Sequence, residues 1–232
     1  MRSSIRPLKK TKNKPMRHPF IIQDYIAGIE ASEEEHLVPA EYLLVLQPHE
    51  ALWNEIKLIK EKFASDYSCE QAKKGLPHIT LIRFKQIQAT ENYIRHFLRN
   101  NAKTISPFKI ELKDFGSFPS HTMYINIVSK VPVMSAVKVL RQQAQKFMKM
   151  DKDNKPHFIT EPHLTIARKL QPWQYKKGWL AYEQAHFHGR FIADHALLLK
   201  RKPGEYYKQV EKFVFKGMKE EIKQAELFAS IP

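Results

Sequence analysis

PHITLIR (residues 77–83) and PHLTIAR (residues 162–168) are nearly the same heptapeptide, written twice in a chain of 232 residues. β-Branched and apolar residues dominate both copies, which suits a strand, and each copy is preceded by a loop pattern and followed by a helical one. Side chains on a strand alternate between faces, so His78 and Thr80 point one way while Ile79 and Leu81 point the other. His163 and Thr165 stand in the same relation to Leu164 and Ile166. Arg83 and Arg168 repeat too, and plain alternation aims them away from the histidines. Each copy thus offers an apolar face to pack on helices and a polar face of His and Thr. If the two halves are related by a pseudo-two-fold axis, two imidazoles and two hydroxyls meet around one spot. Little else in the chain is self-similar, which excludes a solenoid array.

Outward from the heptapeptides, strand and helix patterns alternate. EYLLVLQP (41–48) reads as a strand. After it, Leu52, Ile56, Ile59 and Phe63 form a helical apolar stripe, with Pro48 expected in the first turn. ATENYIRHFLRNN (89–101) reads as an amphipathic helix, PFKIELKDFGSF (107–118) and TMYINIVS (122–129) as strands, and residues 131–150 as one long helix. PWQYKKGWLAYEQA (172–185) is a helix weakened by Gly178. FHGRFIADHALLLKR (187–201) and YYKQVEKFVF (206–215) are strands around the KPGE turn, and KEEIKQAELF (219–228) is a surface helix. The divisions expected are a basic then acidic extension over 1–40, one domain over 41–217, and a C-terminal helix or tail over 218–232.

Thirty-nine Lys and Arg against 24 Asp and Glu give a formal charge of +15, a field that favours anions, with nucleic acid ahead of an acidic membrane surface. The first twenty residues carry many cations and no acid, and bury too little to repay ordering, so they read as a loose tail that steers RNA or is simply solvated. The single Cys69 excludes an intramolecular disulfide and a cysteine-cluster metal site, in keeping with a cytoplasmic compartment. No apolar run reaches the length of a membrane span. The expectation is a cytoplasmic monomer without a membrane partner.

Two histidines on one face have a chemical use. Displacement at phosphorus wants a base and an acid at opposite ends of an in-line array, and imidazole, titrating near neutrality, serves as either. Threonine hydroxyls nearby can hydrogen-bond the non-bridging oxygens as charge builds there. At HITL and HLTI the chain resembles the two-histidine phosphoesterases, which include 2′,5′ RNA ligase-like proteins and cyclic phosphodiesterases. The resemblance extends to the strand EYLLVLQP, to DFGSF with the TMYINIV strand, and to LLLKRKPGEYYKQVEKFVF, and spans residues 41–217, most of the chain. It implies an α+β domain that is bilobal and pseudo-symmetric, with two antiparallel sheets facing a central cleft and helices on the outer faces. It also implies metal-independent action, with no cofactor, on an RNA or nucleotide 2′,3′-cyclic phosphate, a related cyclic phosphodiester or a 2′,5′ linkage. The catalytic residues it implies are His78, Thr80, His163 and Thr165, with His163 as base and His78 as acid.

Tyr124 lies on the polar side of its strand with Asn126, placed to line the groove or stack on a base of the substrate. His186, His188 and His195 invite a metal reading, but no third or fourth ligand with a supporting shell is evident, so no metal site is assigned. The competing class is a non-catalytic RNA-binding module, which charge and aromatics fit equally well. The paired His-x-Thr motifs favour the enzyme, since a binding module has no need of an acid and a base at matched positions.

Overall fold

The computed structural model describes residues 37–218. Residues 1–36 and 219–232, where most of the extension and the final helix are expected, lie outside the described residues. Within them run nine strands: β1 (Pro39–Leu46), β2 (Ile79–Ile87), β3 (Phe108–Phe118), β4 (Thr122–Ile127), β5 (His157–Phe158), β6 (His163–Arg168), β7 (His188–Ala193), β8 (His195–Arg201) and β9 (Lys208–Val214). The α-helices are α1 (Glu50–Asp66), α2 (Glu70–Lys74), α3 (Glu91–Thr104), α4 (Lys130–Leu140), α5 (Ala144–Met148) and α6 (Pro172–Tyr182).

The strands form two antiparallel groups, β2-β1-β8-β9 and β7-β3-β4-β6, whose inner edges β2 and β6 touch at a single pair, Ile79 and Leu164. The short β5 adds to β2. Joined through the pair Ile79 and Leu164, the two groups make one nine-stranded sheet, the α+β, pseudo-symmetric architecture expected, with one feature alternation alone does not give: both heptapeptide strands are the inner edges, where the two groups meet. Helices cover the face opposite the motif histidines. Helix α1 lies on β6 and β7, while α3 packs on β9 and on α4 and α5. Ile79, Leu81, Leu164 and Ile166 are fully buried beneath the seam.

Local chemistry explains where the elements depart from the pattern. Pro48 stands before the first turn rather than in it; His49 caps α1, its Nδ1 accepting from the Leu52 N–H at 3.4 Å. The long helix over 131–150 breaks after Leu140, because Arg141, Gln142 and Gln143 are all exposed and offer no apolar position to hold a turn. Gln143 turns left-handed at φ 54°, and the Asn101 amide donates to the freed carbonyls of Leu140 (3.3 Å) and Gln142 (2.7 Å). Residues 187–201 are two strands, not one. The buried phase slips from Phe191 and Ala193 to Ala196 and Leu198 across Asp194, so β7 joins one sheet and β8 the other. A Cβ on Gly178 would come within 2.8 Å of the Phe63 ring and 3.2 Å of the Met123 sulfur. The glycine that weakens α6 is what lets the helix sit against α1 and β4.

Candidate active site at the seam of the two sheets

Antiparallel pairing of Ile79 with Leu164 fixes what surrounds it. One residue to either side, His78 comes across from Thr165 and Thr80 across from His163, all four on the face away from the helices. The four predicted catalytic side chains are thereby brought together, each half-buried above fully buried neighbours. Diagonal neighbours in such a pair stand about 7–8 Å apart, which leaves room for a phosphate between the imidazoles.

Both rings are held in the same tautomer. His78 Nδ1 donates to the Leu76 carbonyl at 2.6 Å, and His163 Nδ1 donates to the Glu161 carbonyl at 2.8 Å, in each case two residues upstream. A carbonyl only accepts, so the proton of the neutral ring sits on Nδ1 and Nε2 presents its lone pair. The electrostatic settings differ. Burial pushes His78 down to about 4, and the cations of Lys60 and Arg168 and the second imidazole of His163 work in the same direction. His163 is also lowered by burial, but the carbonyl and carboxylate of Glu161 oppose the shift. Electrostatics therefore favour His78 as the neutral partner, the reverse of the assignment that the resemblance implies.

Tyr124 sits where the strand pattern puts it, paired with Thr165. Its ring centroid is 5.1 Å from that of His163 and 4.7 Å from that of Phe118, whose ring meets His163 edge-on at 5.0 Å. Gly116 pairs with Tyr124, and a Cβ there would lie 2.5 Å from the tyrosine ring and 2.6 Å from Asn126 Oδ1. Only glycine leaves the ring that space. Burial raises the Tyr124 pKa, so the phenol stays protonated as a donor.

The arginines are not where alternation puts them. In β2 the register slips by one residue, Val45 pairing with Thr80 but Leu44 with Ile82. In β6, Tyr124 pairs with Thr165 but Met123 with Ala167. Each strand carries one extra residue, Leu81 or Ile166, directly after its threonine, and an extra residue reverses the facing of all that follows. Arg83, paired with Leu43, and Arg168, paired with Thr122, therefore lie on the site face. Arg83 is tied to Glu41, which Arg201 also holds, whereas Arg168 is in no ion pair among the described residues. The signal was present in the sequence: consecutive apolar residues, Leu81–Ile82 and Ile166–Ala167, interrupt the alternation in both copies.

Beneath the β6 bulge lies a residue that sequence reasoning passed over. Lys60, only 4% exposed, donates from Nζ to the carbonyls of Thr165 (3.1 Å) and Ile166 (2.9 Å). Burial, and secondarily Arg168, lower its pKa to about 8. His186 meets Asp114 at 3.3 Å and His195 pairs with Asp194, and no group of three metal-ligating side chains occurs among the described residues.

A family model for the 2′-5′ RNA ligase superfamily matches residues 48–205, which contain both motifs and the seam. The chain belongs to that superfamily. The fold agrees. The crystal structure of E. coli LigT complexed with 3′-AMP superposes with a TM-score of 0.56 at 13% identity, over 76% of this chain and 98% of that one. TT0787 of Thermus thermophilus gives 0.53 at 16% identity over 76% and 98%, and a structure described as a phosphoesterase gives 0.51 at 13% over the same shares. No curated protein matches the sequence. As a superfamily member the chain is 2′-5′ RNA ligase-like, and among its described residues no helix is long and apolar enough to cross a membrane.

Proposed function

We propose that this protein is a phosphodiesterase that opens a 2′,3′-cyclic phosphate on RNA or a nucleotide, or a related cyclic phosphodiester or 2′,5′ linkage, by acid/base catalysis between His78 and His163. One observation carries the reading: both imidazoles are anchored through Nδ1 to a carbonyl two residues upstream, so that both Nε2 atoms are free on one face. The LigT structure with 3′-AMP supports a ribonucleotide phosphate as ligand for this fold. His78 Nε2 takes a proton from water as the water oxygen bonds to phosphorus. The bond from phosphorus to the departing ribose oxygen breaks, and that oxygen receives a proton from His163 Nε2, leaving a phosphomonoester and a free hydroxyl. Thr80, Thr165 and Arg168, which is in no ion pair among the described residues, hold the non-bridging oxygens, where negative charge grows. Tyr124 with Phe118 offers a surface for the base. No step calls for a metal.

The test is turnover of RNA ending in a 2′,3′-cyclic phosphate, with and without chelator. Hydrolysis indifferent to chelator is expected, with His78→Ala and His163→Ala each losing about 10²–10⁴-fold. Activity lost in chelator and restored by zinc or magnesium overturns the metal-free scheme. RNA binding without turnover makes the protein a binding module.

A further inference from the structure

A second cationic feature opens off the same face, beyond the β2 bulge. Once the bulge has reversed the strand, Arg83 and Lys85 share the site face with Thr80, and β5 lies alongside with His157 paired to Arg83. The turn before β5 is fixed by Asp151, whose carboxylate accepts from the backbone of Asp153 (2.8 Å) and of Asn154 (2.7 Å) and from the Asn154 amide (2.8 Å). Together these residues enclose an open groove of about 380 Å³ lined by Arg83, Lys85, Asp153, Asn154, Lys155 and His157. Arg83 is matched by Glu41, but Lys85 and Lys155 are exposed and in no ion pair among the described residues. Asp153 is the one carboxylate in the lining, and Glu41, which lies across from Lys85 on β1, is already held by Arg83 and Arg201. At about 3.3 Å per strand residue, Lys85 lies about 16 Å along β2 from Thr80, beyond the reach of a single bound nucleotide but in line with a chain leaving the site.

We propose that this groove holds the phosphodiester backbone of the nucleotides next to the reacting phosphate, so that the substrate is an RNA strand rather than a mononucleotide. The inference rests on the proposed function for its reacting end. The groove offers what a single-stranded backbone needs: ammonium groups in no ion pair among the described residues on an exposed wall, with amide and imidazole donors between them. An isolated cyclic nucleotide seated at the histidines would leave Lys85 and Lys155 unused.

The experiment compares the full chain with its Lys85→Ala/Lys155→Ala double variant in two ways. The first is turnover of uridine 2′,3′-cyclic phosphate and of an oligoribonucleotide ending in a 2′,3′-cyclic phosphate. The second is direct binding, across a salt series, of a labelled oligoribonucleotide ending in a 3′-phosphate. In the variant the oligonucleotide KM rises while both mononucleotide constants stay unchanged. The slope of log affinity against log salt becomes shallower by about 1.4, the release expected for two lost contacts to a single strand. Equal effects on both substrates, or an unchanged salt slope, overturn the groove. Failure of the wild type to turn over either substrate overturns the proposed function instead, and the binding series still decides the groove.

Discussion

His78 and His163 occupy near-identical peptides and make the same backbone hydrogen bond, so their difference lies in what surrounds the charged form of each ring. His78 is half-buried and has Lys60 and Arg168 as neighbouring cations; His163 has the carboxylate of Glu161, itself paired with Lys130. A base works deprotonated, so activity rises as pH climbs through the His78 value of about 4. An acid works protonated, so activity is lost as pH climbs through the His163 value, which burial holds below the ordinary imidazole range. On the proposed roles the kcat/KM profile should therefore be a bell with its maximum on the acid side of neutrality, and anionic substrate, favouring both imidazolium forms, should move the kcat bell upward. A profile of kcat/KM centred at or above neutral pH contradicts this division. In a Glu161→Gln variant the alkaline limb should move to lower pH, because the nearby negative charge that favours the His163 imidazolium is gone. If the acid limb moves instead, His163 is the base and the roles are exchanged.

At the scale of elements, the bulges decide which side chains reach the chemistry. The sequence made the strands, the helical stripe of α1 and the facing of His78, Thr80, His163, Thr165 and Tyr124 legible, because period and repeat are local properties of the chain; the arrangement of the strands into two facing groups came only with the family resemblance. The positions of Arg83 and Arg168 were not, since a bulge is settled by pairing with a strand distant in sequence, β1 for one arginine and β4 for the other. Lys60 was hidden for a related reason: on the apolar stripe of α1 it looks like a cation at the edge of a buried face, and only the opened carbonyls of Thr165 and Ile166 give it a purpose. Lys60→Met keeps the volume and removes the charge and both hydrogen bonds. It leaves buried carbonyls unpaired, at about 1–3 kcal/mol for each group, against relief from burying an ammonium. The variant should fold with a lower Tm, and its kcat/KM acid limb should move to higher pH as His78 loses a neighbouring cation. A drop in Tm with the limb unmoved would reduce Lys60 to a support of the β6 bulge.

For the whole molecule the governing quantity is the charge of +15, which no pair of residues carries. Part of it sits before Phe20, where Arg2, Arg6, Lys9, Lys10, Lys12, Lys14 and Arg17 occur without one acid. A cationic tail adds phosphate contacts without adding sequence readout, so its contribution appears in the salt dependence of RNA binding and not in the chemistry. Removing the residues before Phe20 should leave turnover of uridine 2′,3′-cyclic phosphate unchanged, since every group assigned to catalysis lies in the described domain. RNA affinity at low salt should fall. The slope of log affinity against log salt should become shallower, by at most about 5 if all seven cations meet phosphates of a single strand. If the residues before Phe20 and the groove of Lys85 and Lys155 meet different phosphates, their contributions add. Combining the truncation with Lys85→Ala/Lys155→Ala should therefore flatten the slope by the sum of the separate changes. A truncated chain with an unaltered slope would assign the tail no part in RNA binding and leave the domain's own surface to carry it.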